Sequence, residues 1–383
     1  MVKKNYTLSE RISIANQFDI EGEIYMVTPY GGGHINDTYS IESKIPSKLG
    51  YSMKRFILQR IDTNIFIKPI QVMENIQKVT EKQHLNILAR NGNPLREAIT
   101  IINTKNGKPY LEKSDDNTFW RCYHFIENAR TYDFIPDNSF GINLAYQAGL
   151  IFGKFQLQLV ELPGKKLHET INKFHHTPYR IQQLEDAIKM NNKERLNKCK
   201  EEIKFARSLY DISSTLINLM EEGKIPIRVS HNDTKINNVM FDYSGEKEKA
   251  LVIIDLDTVM PGTMLYDFGD LVRTSTWPGA EDEKNPSKVY VSLDLFKALV
   301  KGWFESVESI MKPIEISNLP LAGKLITYNM GIRFLADYLK GDQYYNIQYK
   351  EQNLDRAKVQ FAIIKSIDKK WDEMEKIIKQ LQK

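Results

Sequence analysis

The first third of the chain alternates hydrophobic and polar residues with the two-residue period of β-strands. Residues 24–41 contain two such runs separated by three glycines, which predicts a β-hairpin. Further strands are predicted at residues 55–61, 99–104 and 119–126. A helical pattern begins at Pro69 and ends at Ala89, and the following Asn91-Gly92 is typical of a left-handed helix end.

Helical periodicity dominates the rest of the chain. Residues 143–162 are apolar on almost every side, which predicts a buried helix. Residues 178–223 form a long, charge-rich helical region, and the chain is helical again from residue 290. Short strand-like runs lie between them, at residues 225–230, 238–242 and 250–255. The pattern predicts an α+β protein with a small β-rich N-lobe, residues 1–127, and a larger, mainly helical C-lobe, residues 128–383.

Composition narrows the class of protein. A hydrophobic fraction of 42% with 27% charged residues is ordinary for a folded chain, and a net charge of +4 does not indicate a nucleic-acid partner. Cys122 and Cys199 are too few and too far apart for a disulfide framework or a zinc site, so reduced thiols are expected. The first residues contain no continuous apolar region of the kind found in a signal peptide, and no window contains about 18 apolar residues, so we expect no secretory leader, no membrane partner and a cytoplasmic location.

The strongest chemical signal is the pattern H-x-D-x-K-x-x-N, formed by His231, Asp233, Lys235 and Asn238. Phosphoryl transfer to a hydroxyl needs a carboxylate that orients the acceptor and takes its proton, a side-chain oxygen for Mg2+, and a cation beside the transferred group. Asp233, Asn238 and Lys235 supply these groups in that order. An Asx-rich turn is the purely structural alternative for this loop.

A second acidic segment follows closely. Asp255 ends an apolar strand-like run, where a carboxylate can hold a hard cation against phosphates. Asp257 points to the same side if the extended chain continues, so it is either a second Mg2+ ligand or a turn-capping carboxylate. Asp267 and Asp270, in the string YDFGD, are interpreted as structural residues that cap a helix or brace the catalytic loop.

The predicted N-lobe contains residues suited to nucleotide phosphates. Backbone amides of Gly31, Gly32 and Gly33 can approach phosphates closely, although most glycine triplets are ordinary turns. Protein kinases place a phosphate-binding lysine on the third strand, and the corresponding run here has none at its centre. Arg60 is the cation that would replace it, with Gln59 facing the nucleotide if the register differs by one. Glu74, on the following helix, either anchors that cation or is a solvent-exposed residue.

These segments resemble those of known kinases. HNDTKINN followed by IIDLD is similar to the catalytic and metal segments of the aminoglycoside phosphotransferase/choline kinase family. The N-acetylhexosamine 1-kinase branch gives the narrower resemblance, through GGGHINDTYSI, HNDTKINNVMFD with IDLDTVMPG and YDFGD, and GIRFLADYLKGDQYY. The resemblance implies a protein-kinase-like two-lobed fold, ATP, Mg2+ and transfer to the anomeric hydroxyl of N-acetylglucosamine or N-acetylgalactosamine, a small-molecule sugar substrate.

The resemblance also implies roles for individual residues. It assigns Asp233 as the base, with Asn238 and Asp255 as metal ligands. The residues that face the sugar are implied to be His34, Asp37 and Arg333, with Tyr338 as a further candidate. Thr274 stands where the sugar-kinase branch presents an aromatic side chain, which implies different surroundings for the sugar ring here.

Three other functions fit parts of the sequence. A kinase for choline, an aminoglycoside or an amino alcohol would need an acidic or aromatic pocket for its cationic acceptor. A degenerate kinase acting as a nucleotide-binding module is favoured only by the missing strand lysine and opposed by the presence of Asp233, Asn238 and Asp255. A protein kinase is disfavoured because the short interval between Asp255 and YDFGD leaves little room for an activation loop.

Overall fold

The computed structural model describes residues 6–31, 35–48, 50–190 and 193–382. The chain forms two compact units, Met1–Asn128 and Ala129–Lys383. The first is built around a β-sheet and the second is mainly helical, which confirms the predicted mixed α+β class.

The first unit is a mainly antiparallel sheet with helices attached. Its strands are β1 Glu23–Pro29, β2 Asp37–Ser47, β3 Gly50–Ile61, β4 Ile101–Ile102, β5 Leu111–Lys113 and β6 Thr118–His124. In the sheet they follow the order β1-β2-β3-β6-β4, and β5 pairs with β6. The helices are α1 Leu8–Ala15, α2 Pro69–Ala89 and α3 Pro94–Glu97. The predicted hairpin is β1–β2, and the helix predicted over Pro69–Ala89 has the same ends in the structure.

The two faces of this sheet differ in character because successive side chains on a strand point to opposite sides. On one face, Tyr39, Leu58 and Trp120 belong to a buried core that includes Ala15 of α1. Gln59 lies next to Leu58 in sequence and therefore points to the opposite face. We refer to these as the α1 face and the opposite face of the sheet.

A left-handed residue ends α2, as the Asn91-Gly92 pair predicts. Asn91 has φ 58°, and its N–H donates to Leu88 O at 2.9 Å. The N–H of Gly92 donates to Ile87 O at 2.9 Å. These two bonds form a Schellman motif, which satisfies carbonyls that the end of the helix would otherwise leave unpaired.

The second unit contains most of the helices and several short strands. Its strands are β7 Ala129–Arg130, β8 Arg228–Ser230, β9 Val239–Asp242, β10 Lys249–Ile253 and β11 Met260–Gly262. Its helices are α4 Ser139–Gln158, α5 Thr177–Lys189, α6 Lys193–Lys198, α7 Lys200–Arg207, α8 Thr215–Glu221, α9 Met264–Ser275, α10 Leu293–Val307, α11 Pro313–Ser317, α12 Leu319–Lys340, α13 Gln352–Lys369 and α14 Trp371–Leu381. The order of the small sheets is β10-β9-β7 and β11-β8.

Glycines bring the central helices of this unit into close contact. A Cβ atom on Gly149 of α4 would lie 2.2 Å from Leu299 O of α10, and one on Gly302 of α10 would lie 2.0 Å from Tyr146 O of α4. A Cβ on Gly269 of α9 would lie 2.4 Å from Ala322 O of α12. Only residues without a side chain allow these backbone approaches, so the glycine of the Asp-Phe-Gly string is a packing residue.

The helical region predicted at residues 178–223 is not continuous. It is divided into α5, α6, α7 and α8. Serines lie at the break between α7 and α8: Ser208 Oγ donates to Phe205 O at 2.7 Å, and Ser213 Oγ donates to Tyr210 O at 2.6 Å. Such bonds compete with helical backbone bonds and favour chain breaks.

The two cysteines are free and buried, as expected for structural thiols. Burial raises the pKa of the Cys199 thiol to about 11, which disfavours its reactive thiolate form. Among the described residues, no helix combines the length and the hydrophobicity needed to cross a bilayer.

Candidate active site

The loop that carries the H-x-D-x-K-x-x-N pattern joins β8 to β9 and ends in a 3-10 turn, Ile236–Asn238. Pairing of β8 with β11 and of β9 with β10 holds both of its ends. Asn232 adopts φ 65° within the loop, and its Nδ2 donates to Ser230 O and Thr258 O, each at 3.0 Å. The short loop is therefore tied to the strands on both sides.

Asp233, Lys235 and Asn238 meet within this loop. Lys235 Nζ lies 3.0 Å from Asp233 Oδ2. Asn238 Nδ2 donates to Asp233 O at 2.8 Å and lies 3.3 Å from Asp233 Oδ2. The carboxylate, the cation and the amide predicted to act together are thus in direct contact.

The Asp233 carboxyl is held in its ionised form. Burial disfavours the charge, but Lys235 and His231 outweigh it, so the pKa of Asp233 is lowered from its ordinary value. A carboxylate that stays ionised can accept a hydrogen bond from an acceptor hydroxyl at neutral pH.

Asp255 lies beside this group. The N–H of Ile254 donates to Asn238 O at 2.9 Å, and His231 Nε2 lies 3.1 Å from Ile254 O. The electrostatic environment of Lys235 includes both carboxylates: burial opposes its charge, but Asp233 and Asp255 raise its pKa. Asp233 and Asp255 therefore act on the same region.

The chain does not remain extended after Asp255. The prediction that Asp257 points to the same side as Asp255 depended on such an extended chain. Asp255 is left-handed, with φ 62° and ψ 56°, and Leu256–Thr258 form a 3-10 turn. Asp257 is only 2% exposed. The side chains of Asp255 and Asp257 thus do not share the alternation of a strand, and the same-side argument for Asp257 as a metal ligand is lost.

Asn238 and Asp255 fit a Mg2+ ion that also binds nucleotide phosphates. Asp233 takes up the amide nitrogen of Asn238, and no donor among the described residues bonds to Asn238 Oδ1, the atom that a cation would use. No group of three His, Cys, Asp or Glu side chains in the described ranges forms a complete metal cage. Mg2+ at phosphate sites takes one or two protein carboxylates or carbonyls together with phosphate oxygens and water, so an incomplete protein cage suits it.

Asp267 braces the catalytic loop. Its carboxylate accepts from Ser230 Oγ at 2.7 Å, from the N–H of His231 at 3.0 Å and from the N–H of Asn232 at 2.8 Å. Gln156 of α4 donates to it at 2.6 Å. The N-cap of α9 is Thr263, so of the two roles considered for Asp267, bracing is the one the structure shows.

We expect Asp267→Ala to lower the free energy of unfolding by at least about 3 kcal/mol, because several buried donors lose their acceptor at about 1–3 kcal/mol each. Chemical denaturation of the full chain measures this effect. Asp211→Ala, which removes an exposed carboxylate from the same unit, should change stability little. Similar losses in both variants would contradict the bracing role.

Asp270 and Arg273 form a second buried pair near Asp233. Asp270 Oδ1 accepts from Arg273 Nε at 2.7 Å, and Arg273 Nη1 lies 2.8 Å from Glu281 Oε1. Burial raises the pKa of Asp270, although Arg273 opposes the shift. The charge of Arg273 also contributes to the lowered pKa of Asp233. The i, i+3 spacing of Asp270 and Arg273 was the available sequence signal for this pair.

Arg333 lies among aromatic rings. Its guanidinium carbon is 4.7 Å from the centre of the Phe174 ring, 5.9 Å from that of Tyr344 and 5.7 Å from that of Tyr345. Asp337, the possible i+4 partner of Arg333, instead accepts from the backbone N–H groups of residues 343–345 and from Asn353. Within the described residues, Arg333 has no carboxylate partner, so it is not a surface arginine in an ion pair.

Arg180 is a neighbour of Arg333 that sequence reasoning missed. Its Nε and Nη2 donate to Phe174 O at 3.1 and 3.0 Å, and Nη1 donates to Gln183 Oε1 at 2.8 Å. Burial and the charge of Arg333 lower its pKa to about 10, so it remains protonated at neutral pH. Two guanidinium groups therefore occupy one aromatic region, which we call the arginine cluster: Phe174, Arg180, Arg333, Tyr344 and Tyr345.

His175 connects this cluster to the catalytic loop. Its Nε2 lies 2.8 Å from Asn232 O, and Phe174, which contacts both arginines, precedes it in sequence. Burial lowers the pKa of His175 to about 3, so the ring is neutral and adds no charge. The arginine cluster is thus adjacent to the loop that carries Asp233.

Tyr338 does not match the sugar-facing position implied by the resemblance, and Thr274 forms a hydrogen bond within its own helix. Tyr338 is 1% exposed and packs in the helical core, with Arg195 over its ring at 4.7 Å, so it has no surface for a ligand. Thr274 Oγ1 donates to Asp270 O at 3.0 Å within its own helix. Tyr338 is a core residue, and the hydroxyl of Thr274 is already bonded.

In the first unit, the residues predicted to surround the nucleotide phosphates do not all lie on the same face of the sheet. Gly31 has φ 73°, a left-handed conformation that glycine adopts readily. Asp37 and Arg60 are register partners on β2 and β3, and Arg60 Nε donates to Asp37 at 2.8 Å. Trp120 of β6 is the register partner of Arg60, and it lies on the α1 face, so Asp37 and Arg60 lie on that face as well. The predicted residues Gly32, Gly33 and His34 lie outside the described residues.

Gln59 lies on the opposite face, where it bonds to two neighbours. Its Nε2 donates to Thr38 Oγ1 at 3.0 Å, and its Oε1 accepts from Arg121 Nε at 3.0 Å. On α2, Glu74 is exposed, whereas Asn75 is 1% exposed. Arg121, the register partner of Gln59 on β6, is 2% exposed.

Known proteins resemble this chain in family signature and in fold. A family model described as "Phosphotransferase enzyme family" matches residues 27–285. A microcompartment-associated aminopropanol kinase is similar over 96% of this chain and 98% of its own, with a TM-score of 0.62 at 13% identity. A spectinomycin phosphotransferase in complex with ADP and spectinomycin gives a TM-score of 0.56 at 14% identity over 99% of both chains. Choline kinase from Cryptosporidium parvum Iowa II gives 0.54 at 13% identity over 92% of this chain and 90% of its own. These likenesses confirm the protein-kinase-like fold.

Proposed function

Since this chain belongs to the phosphotransferase enzyme family, we propose that it is an ATP- and Mg2+-dependent small-molecule kinase that phosphorylates the anomeric hydroxyl of an N-acetylhexosamine. Asp233 in contact with Lys235 and Asn238 is the observation that carries the kinase part of the proposal. The arginine cluster supports the choice of acceptor.

Each residue of the loop has a chemical task in this reaction. Asp233 accepts a hydrogen bond from the sugar hydroxyl, which directs an oxygen lone pair at the phosphorus, and then takes the proton. Lys235 stabilises negative charge that develops on the transferred phosphoryl group. Asn238 and Asp255 would hold Mg2+, which neutralises the charge of the phosphates when it is bound.

The charge of the arginine cluster disfavours a cationic acceptor. The cluster contains two guanidinium groups, those of Arg180 and Arg333, and no described carboxylate pairs with either of them. An ammonium group such as that of choline or an amino alcohol would be repelled by two guanidinium groups in a partly buried region. The electrostatics therefore favour an acceptor that is neutral or negatively charged.

A neutral sugar matches the hydrogen-bonding capacity of the cluster. Guanidinium groups only donate, and the hydroxyls and acetamide carbonyl of an N-acetylhexosamine accept such bonds. The segment that contains Arg333, GIRFLADYL, is also one of those that resemble the N-acetylhexosamine 1-kinase branch. Together these observations support an N-acetylhexosamine as the acceptor.

The proposal is tested by a panel of acceptors with ATP and Mg2+. We expect turnover with N-acetylglucosamine or N-acetylgalactosamine, and much less with choline, aminopropanol or kanamycin. Mass spectrometry of the product before and after mild acid would identify an acid-labile anomeric phosphate. Efficient turnover of choline or kanamycin with none of any sugar would overturn the acceptor assignment and leave the kinase assignment standing.

Replacing Arg333 with Met should raise the KM for the sugar by about tenfold to a hundredfold, because hydrogen bonds from a charged donor contribute about 1.5–3 kcal/mol. The KM for ATP should stay close to that of the unaltered protein. Steady-state kinetics with each substrate varied in turn measures both values. Arg207→Met, which removes an exposed arginine paired with Glu185, is the matched control. An unchanged sugar KM in Arg333→Met would remove Arg333 from the acceptor site.

A further inference from the structure

A single buried carboxylate holds the loop that joins α12 to α13, residues 341–351. Asp337 lies in the last turn of α12 and is 5% exposed. Its Oδ1 accepts from the N–H of Gln343 at 3.0 Å and from that of Tyr344 at 2.8 Å. Its Oδ2 accepts from the N–H of Tyr345 at 3.0 Å. Three consecutive peptide groups of the loop are therefore bound to one side chain.

These bonds determine what surrounds Arg333. Tyr344 and Tyr345, whose N–H groups Asp337 fixes, have their ring centres 5.9 and 5.7 Å from the guanidinium carbon of Arg333. The Tyr345 ring also packs on Phe334 of α12, with ring centres 4.7 Å apart. Asp337 thus fixes the position of two of the five residues of the arginine cluster.

The same bonds keep the Asp337 carboxylate away from Arg333. Residues four apart on a helix are neighbours, and an arginine and an aspartate at this spacing can form an ion pair. Asp337 Oδ2 instead accepts a second bond, from Asn353 Nδ2 at 3.0 Å, besides those from the loop. Within the described ranges, Arg333 has no carboxylate partner. Its charge is therefore not neutralised by the helix that carries it.

A second aspartate ties the loop to two further helices. Asp342 Oδ1 accepts from Asn353 of α13 at 2.9 Å, and its Oδ2 lies 2.6 Å from Arg195 Nη1 of α6. Asn353 therefore bridges the carboxylates of Asp337 and Asp342. The loop is fixed relative to α6, α12 and α13, and the rings beside Arg333 are fixed with it.

We propose that Asp337 is a positioning residue for the acceptor site. It holds Tyr344 and Tyr345 beside Arg333, and by bonding to the loop it leaves that arginine available to the acceptor. The inference rests on the proposed role of Arg333 in binding the sugar, and it assigns no contact with the sugar to Asp337. Sugar binding should therefore depend on a carboxylate that the sugar does not touch.

Asp337→Asn tests this role. The amide has the size of the carboxylate but only one oxygen that accepts, so part of the anchoring of the loop is lost. We expect the KM for the sugar to rise about threefold to tenfold, the effect of one or a few tenths to one lost hydrogen bond, while kcat and the KM for ATP change little. Steady-state kinetics with each substrate varied in turn measures these values. Asp368→Asn, at an exposed carboxylate paired with Lys324, is the matched control.

A double variant separates positioning from a general loss of stability. If Asp337 acts through Arg333, adding Asp337→Asn to Arg333→Met should raise the sugar KM by less than about twofold, because the effects of residues that act together are not additive. A full further rise in the double variant would overturn the inference. An unchanged sugar KM in folded Asp337→Asn would also overturn it.

Asp342→Asn keeps the test decisive if Asp337→Asn folds poorly. Asparagine tolerates the left-handed φ of 58° at this position, and the change weakens the tie to Arg195 without altering Asp337. It should raise the sugar KM and leave the KM for ATP unchanged, and an unaltered sugar KM would then overturn the inference. Failure of the unaltered protein to phosphorylate the sugar, or an unchanged sugar KM in Arg333→Met, would instead refute the proposed acceptor.

Discussion

Asp233→Asn is expected to lower kcat by roughly a hundredfold to ten-thousandfold, the range that a positioned proton acceptor contributes. The amide keeps the size of the side chain, so the loop and its contact with Asn238 should persist. Binding of Mg2+-ADP should therefore change little. Single-turnover kinetics and calorimetry on the same preparation separate these two quantities.

Loss of the Lys235 contact is a second consequence of this substitution, because a neutral amide no longer attracts the ammonium group. Asp186→Asn, at an exposed aspartate of α5, provides a control for the general effect of removing a carboxylate. If Asp233→Asn retained most of its turnover with the sugar, Asp233 would not be the base and the mechanism would be wrong.

Asp255→Asn should instead raise the Mg2+ concentration needed for half-maximal activity. We expect a shift of at least the roughly tenfold to hundredfold that loss of an outer-shell partner of a metal causes. Asn is the suitable replacement because Asp255 has φ 62°, and asparagine tolerates left-handed backbone better than alanine does. Titration of activity with Mg2+ at saturating ATP gives the required value.

The two aspartates should therefore produce different defects. Asp233→Asn lowers the maximal rate at any Mg2+ concentration, whereas added Mg2+ should restore part of the activity of Asp255→Asn. Tm measured with and without Mg2+-ADP provides an independent readout, because only loss of nucleotide binding reduces stabilisation by the ligand. Identical Mg2+ dependence in both variants would exclude Asp255 as a metal ligand.

Short-range contacts were the part of the candidate site that sequence could predict. Asp233, Lys235 and Asn238 lie on one loop, so their spacing alone was enough to bring them together, and strand patterns placed Asp255 nearby. The conformation of Asp255 was not predictable in this way. A left-handed residue leaves no trace in hydrophobic periodicity, which is why the strand was expected to continue towards Asp257.

Long-range contacts were beyond reach from one sequence. Arg180 and Arg333 belong to different helices, and only the packing of those helices brings the two charges together. The contact between Gln59 and Arg121 depends on the pairing of β3 with β6, a register that no local pattern specifies. Tyr338 shows the opposite error, because a motif position suggested a ligand contact whereas the helix turns that ring into the core.

The contact at Gly269 has a consequence for both halves of the proposed chemistry. The helix that contains Gly269 also carries Asp267, which braces the loop bearing Asp233, and the helix that Gly269 touches also carries Arg333. The distance between Asp233 and Arg333, the residues proposed to act on the sugar, therefore depends on how closely these two helix backbones approach each other. A methyl group added at Gly269 would push the two helices apart and so change the distance that a substrate must span between these two residues.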